Sequence, residues 1–124
     1  MERIQLDILE SLGMDYEETL ERFVNDEDFY FQLLEKFSEK PDIDIIEEML
    51  EQENYQEAFR LAHSLKGGSA NMGLLYLSEA MVPLTEELRN PPYEMEKILP
   101  LYYEARDSFK DTMEQVKIVL EARS

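Results

Sequence analysis

Residues 58–78 read AFRLAHSLKGGSANMGLLYLS, and none of them is acidic. The whole chain of 124 residues has 29 Asp and Glu and a formal net charge of −17, so a random window of this length would hold about five acids. The stretch holds the only histidine, His63, together with Arg60 and Lys66. The local lack of acids indicates a place that can receive negative charge. A buried helix with little room for charge is the alternative, although these three side chains need solvent or partners.

A helical projection places His63 opposite an apolar stripe. With about 100° per residue and His63 at zero, the residues within about 40° of the opposite side predict a buried face: Ala58, Leu61, Leu65 and Met72, flanked by Ala62. His63 is therefore expected on the exposed face. The residues closest to it around the helix are Phe59, Gly67 and Ala70, with Arg60 and Lys66 about 60° to either side.

Two consecutive glycines, Gly67 and Gly68, follow His63 by about one turn. Each costs a helix about 1 kcal/mol relative to alanine, but glycine also allows another backbone or a bulky loop to approach closely. Two interpretations stay open on geometry alone. Either the glycines serve a docking surface, or the helix ends near residue 67 and His63 has no special role.

The residue types around His63 favour phosphoryl chemistry. An exposed imidazole is largely neutral at pH 7 and can act as a nucleophile. Lys66, one turn later, could pair with a phosphoryl oxygen, and Ser69 could donate a further hydrogen bond. A metal site is not expected, because one histidine without cysteines or converging acids is a poor ligand set. A Ser-His-Asp hydrolase is disfavoured, since Ser64 follows His63 directly and points about 100° away on a helix.

Helical periodicity continues on both sides of this stretch, and no segment alternates convincingly like a strand. Capping signals predict several helix starts, at Asp15 with Glu18, Asn25 with Asp28, and Asn54 with Glu57. The inner face predicted for the second of these helices is Phe29, Leu33 and Phe37, flanked by Tyr30 and Leu34. Short loops between amphipathic helices predict an all-α fold, an antiparallel four-helix bundle with short accessory N-terminal helices.

Prolines and glycine mark the breaks in this pattern. Pro41 either starts a new helix or kinks a continuing one, since proline lacks a donor and clashes with the preceding turn. Pro83 predicts a kink or a reset, and Pro100 predicts a bend early in the last helix. Gly73 marks a break after the His63 helix, and Asn90-Pro91-Pro92 is the clearest turn in the chain.

Length and composition restrict the number of domains and the classes of partner that this chain can have. A chain of this length suits one domain, and a single helical domain over residues 1–124 is predicted. The net charge argues against nucleic acid and against an anionic membrane surface. No apolar run approaches the roughly 20 residues that span a bilayer, the N-terminus is no signal peptide, and there is no cysteine for disulfides. A cytoplasmic monomer is therefore expected.

Residues 62–69, AHSLKGGS, resemble the A-H-x-L-K-G-x-S signature of histidine-containing phosphotransfer (HPt) domains. The likeness continues through residues 70–73 and the leucine-rich segment 74–88. Upstream, it includes Phe29, Leu33, Leu34 and Phe37, so it covers roughly residues 15 to 90. The central motif is fairly specific.

This resemblance implies a four-helix bundle with accessory helices and a reversible relay between aspartates of response-regulator receiver domains through a phosphohistidine. His63 would accept the phosphoryl group through Nε2, Lys66 would stabilise it, and Gly67 would let the receiver dock. Ser69 matches a signature position and would assist. In the family the receiver supplies the catalytic aspartates and Mg²⁺, so the chain is expected to be a carrier without a cofactor or metal of its own, not an enzyme.

The projection assigns Phe59, Arg60 and Ala70 to the partner-binding surface. Receiver domains are the expected partners, with a hybrid histidine kinase as a further candidate. Because the chain begins at a methionine, a free-standing shuttle is favoured over a piece of a larger hybrid kinase. Two rival interpretations remain. One is a non-phosphorylated helical adaptor that binds receivers or other proteins through the same face, and the other is an unrelated bundle with an incidental histidine.

Overall fold

A computed structural model describes residues 1–123, which form seven helices and no strand. In chain order the helices are α1 (Arg3–Ser11), α2 (Tyr16–Arg22), α3 (Glu27–Ser38), α4 (Asp42–Glu51), α5 (Tyr55–Asn71), α6 (Leu75–Arg89) and α7 (Met95–Glu121). The predicted all-α class is confirmed.

The four helices α4 to α7 form the bundle. Helix α5 lies between α4 and α6 and packs against both, while α7 packs against α6 and closes back on α4. Short connections join these helices, so consecutive helices run antiparallel. Helices α1 and α3 pack on α7. The predicted bundle with accessory N-terminal helices is therefore confirmed.

The centre of the bundle is apolar, and α5 contributes the side that the projection predicted. Its buried residues include Ala58, Leu61, Ala62 and Leu65, and Met72 directly after the helix is buried too. Facing them, α6 buries Leu77, Met81, Leu84 and Leu88. Burial of this apolar surface fixes the rotation of α5 and α6 about their axes, and thereby decides which of their side chains reach solvent.

The accessory helices hold the C-terminal end of α5. The guanidinium of Arg22 donates to the carbonyls of Ala70 and Asn71 at 3.2 Å each, and the phenol of Tyr30 donates to the carbonyl of Met72 at 2.8 Å. Carbonyls in the last turn of a helix lack partners within the helix, and a cation there also suits the helix dipole. Helices α2 and α3 therefore fix the end of the helix that carries His63.

Gly73 makes the turn from α5 into α6 in a left-handed conformation, with φ +82°. A Cβ at this position would lie 2.7 Å from Oγ1 of Thr19 and 3.0 Å from Cγ of Met14. Glycine is therefore required here both for the backbone angle and for the close approach of α2.

Replacing Gly73 by Ala is expected to lower the free energy of unfolding by about 2 kcal/mol, because it combines backbone strain with a steric clash. Urea denaturation followed by circular dichroism measures the change. Gly67→Ala is the matched control, since Gly67 is helical with open space at its Cβ position, and alanine there should stabilise by up to about 1 kcal/mol. Equal midpoints for the two variants would contradict this account of Gly73.

The prolines act differently from one another. Pro41 is the N-cap of α4, so it separates α3 from α4 and starts a new helix. Helix α6 runs through Pro83, which means that the proline does not reset the helix. Pro100 lies in the second turn of α7, which also continues. Residues 90–92 lie in the connection between α6 and α7, as predicted.

The prediction for α3 was wrong in its start and in part of its inner face, since Phe37 and the flanking Tyr30 and Leu34 are buried as predicted but Phe29 and Leu33 are not. The N-cap is Asp26, whose side chain accepts from the backbone amide of Phe29 at 3.1 Å, while Asn25 has a positive φ of 56°. Phe29 is 40% exposed, and Leu33 is half-buried. The buried residues of α3 are Tyr30, Phe31, Leu34 and Phe37. Helix α3 packs against both α7 and the end of α5, and it carries apolar residues around much of its circumference. Periodicity alone therefore does not identify its buried side.

Candidate functional site

Helix α5 runs without interruption from Tyr55 to Asn71. At its start, the side chain of Asn54 accepts from the backbone amide of Glu57 at 3.3 Å, which is the cap that the sequence predicted. Gly67 and Gly68 consequently lie inside the helix. The interpretation that the helix ends near residue 67 is wrong, because the packed faces on either side of the glycines outweigh their low helix propensity.

His63 is exposed on the outer side of α5. Its imidazole stacks on the ring of Phe59 one turn earlier, with ring centroids 5.7 Å apart and an interplanar angle of 24°. Phe59 is half-buried and packs against the core. The phenyl ring therefore supports one face of the imidazole, while the rest of the imidazole stays open to solvent.

Lys66 lies one turn after His63 and is half-buried. Within residues 1–123 its ammonium group forms no salt bridge. The Lys66 carbonyl accepts a hydrogen bond from Oγ of Ser78 at 2.9 Å, which ties this turn of α5 to α6. The backbone of Lys66 is thus held in place by a hydrogen bond to α6. Its ammonium group is available to an anion bound near His63.

The two glycines of α5 differ in what surrounds them. At Gly68 a Cβ would meet the ring of Phe37 at 3.2 Å, whereas at Gly67 nothing lies within 4 Å. Gly68 therefore serves the packing of α3 on α5. Gly67 serves no internal packing, and its missing side chain leaves a flat exposed place directly beside His63.

Arg60 is already occupied by an intramolecular partner. Its Nε donates to both carboxylate oxygens of Glu57 at 3.0 Å, and its Nη2 forms a salt bridge with the same group. The hydrogen bonds from Arg60 hold the pKa of the Glu57 carboxyl below its ordinary value. The positive charge of Arg60 is therefore largely balanced within its own helix turn.

Ser69 does not lie where the sequence analysis expected it. The side chain is fully buried, and its hydroxyl donates to the carbonyl of Leu65 at 2.7 Å. The predicted assistance to a phosphoryl group is wrong for this geometry, because six helical positions rotate Ser69 about 120° away from His63. Ala70, by contrast, is half-buried on the His63 side of the helix.

Five residues thus form one outward surface of α5, which we term the docking face: Phe59, His63, Lys66, Gly67 and Ala70. The structure brings them together as the helical projection predicted. The aromatic ring of Phe59 lies one turn before His63, and the small residues Gly67 and Ala70 lie one and two turns after it.

Helix α6 adds two charged residues that the sequence analysis missed, Glu86 and Arg89. They form a salt bridge with each other, with Nη2 of Arg89 2.9 Å from Oε1 of Glu86. The guanidinium of Arg89 also lies over the ring of Phe59, 5.1 Å from its centroid, in a cation–π arrangement. Their three-residue spacing on α6 suggests an intrahelical pair, but only the packing of α6 on α5 shows that the pair borders the docking face.

The pKa of the Glu86 carboxyl responds to the charged groups of this site. Hydrogen bonds from Arg89 lower the pKa of the Glu86 carboxyl, and the charges of Arg89, Lys66 and His63 contribute in the same direction. The site is therefore not free of acids, although residues 58–78 are. Glu86 reaches it from the neighbouring helix.

No group of three or more His, Cys, Asp or Glu side chains is arranged to hold a metal ion in residues 1–123. Over the same residues, none of the helices combines the length and the apolar character that crossing a membrane requires.

The family model described as the Hpt domain matches residues 32–117, from within α3 to the last turns of α7 and including the whole docking face. This is more than half of the chain. No curated protein and no solved structure matched the chain.

Proposed function

Because the chain belongs to the Hpt domain family, whose members are phosphotransfer carriers that work with receiver domains in phosphorelays, we propose that it carries a phosphoryl group on His63 between two receiver domains. The observation that supports this most is the exposure of His63 next to Lys66 and the open surface at Gly67. A carrier needs a nucleophile that a second protein can reach, and these residues offer one.

The transfer step begins with the neutral imidazole of His63 and an aspartyl phosphate on the receiver. The lone pair of Nε2 attacks phosphorus, the bond from phosphorus to the aspartate oxygen breaks, and its electron pair leaves on the carboxylate. The Nδ1 proton stays in place, so His63 becomes a phosphoimidazolium without releasing a proton. The reverse sequence returns the group to a receiver.

Lys66 would stabilise the phosphoryl oxygens during this step. Its ammonium group has no salt-bridge partner in the part of the chain that the structure describes, so no internal ion pair has to break before it engages the phosphoryl group. The partner receiver would supply Mg²⁺ and the acidic residues that bind it. The small residues of the docking face leave room for the rim of the receiver's active site, and Phe59 offers an aromatic contact.

Replacing Lys66 by Ala is expected to slow phosphoryl transfer roughly tenfold, which corresponds to the loss of one charge-assisted hydrogen bond. The helical circular-dichroism signal should stay nearly unchanged. Rapid-quench measurement of label appearing on the chain gives the rate. Lys117→Ala, which removes the same charge from an exposed position of α7, should transfer at the wild-type rate; equal rates for Lys66→Ala and wild type would remove Lys66 from the site.

The direct test uses a receiver domain labelled with radioactive phosphate on its aspartate. Incubation with the chain and Mg²⁺ should move the label to the chain in an acid-labile, base-stable form, as expected for a phosphohistidine. If no receiver of the same genome transferred label to the chain, the proposal would be overturned. An adaptor that binds through the same face would then be favoured.

A further inference from the structure

A continuous set of contacts joins Glu86 on α6 to His63 on α5. The carboxylate of Glu86 accepts from Nη2 of Arg89 at 2.9 Å and from its Nε at 3.2 Å. The guanidinium of Arg89 lies 5.1 Å from the ring centroid of Phe59, and this ring stacks on His63 at 5.7 Å. An acid and a cation therefore border the imidazole through a shared aromatic ring.

The packing of α6 on α5 makes this arrangement a fixed feature. The hydrogen bond from Ser78 to the Lys66 carbonyl, at 2.9 Å, sets the register of the two helices. Leu84 and Leu88, on either side of Glu86 in sequence, are fully buried and fix the rotation of α6. Glu86 is consequently held on the exposed side of α6 that faces the docking face.

A phosphoryl group on His63 would place roughly −1.5 to −2 charges on its oxygens at neutral pH, while the imidazolium ring, which keeps its Nδ1 proton, carries a compensating positive charge. Lys66 attracts this phosphoryl group and Glu86 repels it. The guanidinium of Arg89 cannot fully pair with both the Glu86 carboxylate and the phosphoryl group. The hydrogen bonds from Arg89 lower the pKa of the Glu86 carboxyl, and the charges of Arg89, Lys66 and His63 act in the same direction. The balance between these charges decides how stable the phosphorylated state is.

We propose that Glu86 is a charge-balancing and positioning residue of the His63 site, which retains Arg89 over Phe59 and opposes a phosphoryl group on His63. This inference rests on the proposed function. A carrier that bound its phosphoryl group too tightly would not pass it on, and Glu86 prevents this by raising the free energy of the phosphorylated chain. In the exchange itself the phosphorus bond moves between Nε2 of His63 and the receiver carboxylate, and Glu86 takes part in no bond change.

The test replaces Glu86 by Gln, which keeps the shape and removes the charge. At equilibrium with a phosphorylated receiver, the ratio of phosphorylated to free chain is expected to rise about threefold, as suits coupling between exposed charges. Glu87→Gln is the matched control, because it removes the same charge from the next position of α6, about 100° around the helix. A ratio in Glu86→Gln equal to that of wild type, or an equal rise in Glu87→Gln, would overturn the inference.

Salt separates a charge effect from a purely structural one. At about 1 M salt the screening length falls to roughly 3 Å. Under these conditions the ratio of phosphorylated to free chain should become nearly equal in wild type and Glu86→Gln. A difference that persists unchanged at high salt would show that Glu86 acts through structure and would overturn the assignment of charge balance.

A second measurement needs no receiver and so remains decisive if the relay function itself fails. Phosphoramidate, a small phosphoryl donor, is used to phosphorylate His63 in wild type, Glu86→Gln and Glu87→Gln, and urea midpoints are compared before and after modification. Phosphorylation should lower the midpoint more in wild type and Glu87→Gln than in Glu86→Gln, because only the last lacks the opposing carboxylate. Identical changes in all three chains would overturn the inference.

Discussion

Replacing His63 by Gln is expected to reduce acid-labile labelling by a phosphorylated receiver to background, the largest single effect predicted for this protein. The substitution removes the only imidazole of the chain, and glutamine has no nucleophilic nitrogen for phosphorus. Because His63 is exposed, the free energy of unfolding should change by no more than about 0.5 kcal/mol. Labelling after alkaline quench measures the first quantity, and urea denaturation measures the second.

Binding provides the control for this variant. His63→Gln should still bind the receiver with nearly the affinity of the wild-type chain, since Phe59, Gly67 and the rest of the docking face are unchanged. Lost binding together with lost labelling would show that the substitution damages the surface. Labelling that persists in His63→Gln would show that another residue carries the phosphoryl group.

Replacing Gly67 by Leu is expected to raise the dissociation constant for the receiver at least tenfold without destabilising the fold. Nothing lies within 4 Å of a Cβ at this position, so the new side chain projects into the space that a partner would occupy. A leucine in the centre of an interface blocks close approach and leaves neighbouring contacts unmade. Isothermal titration with the receiver measures affinity, and the urea midpoint should rise because leucine is a better helix former than glycine.

Two comparisons make the Gly67 result specific to docking. Gly67→Ala should weaken binding less than Gly67→Leu, because the effect follows the size of the side chain. Phosphoramidate, which needs no protein interface, should phosphorylate His63 in Gly67→Leu as readily as in the wild-type chain. Unchanged receiver affinity in Gly67→Leu would place the docking surface elsewhere on the bundle.

The outward position of His63 was predictable because a single helical period governs residues 58–72. Ala58, Leu61 and Leu65 are buried, and that burial rotates His63 towards solvent. Gly67 and Gly68 left the length of the helix open, since propensity opposes a helix there. The structure resolves this point because Gly68 packs against Phe37, a contact that depends on the fold of α3.

One site residue was misplaced by the sequence analysis, and two others were missed. Ser69 matched a motif position, but its rotation about the helix axis places its hydroxyl on the Leu65 carbonyl and not beside His63. Glu86 and Arg89 lie 23 and 26 positions after His63 in the chain, and they reach the site only because α6 packs antiparallel on α5. Tertiary pairing of this kind sets which charges surround a nucleophile, and local patterns do not report it.

Helix α3 shows the same limit in the fold. Six of its positions from 29 to 37 are apolar, so a projection yields no narrow stripe. The observed side is selected by specific partners, including the hydrogen bond from Tyr30 to the Met72 carbonyl and the guanidinium of Arg123 over Phe31 at 4.3 Å. The apolar face of α5 is narrower, and its buried side followed the predicted spacing.

The central claim, that His63 both accepts and returns a phosphoryl group, is tested most directly by onward transfer. The chain is labelled by one receiver, purified away from it, and mixed with an unlabelled receiver and Mg²⁺. The account predicts that label leaves His63 and appears on the receiver aspartate, with the sum of the two constant at early times. Label that stays on the chain, or that is released only as inorganic phosphate with every receiver tested, would contradict a carrier function.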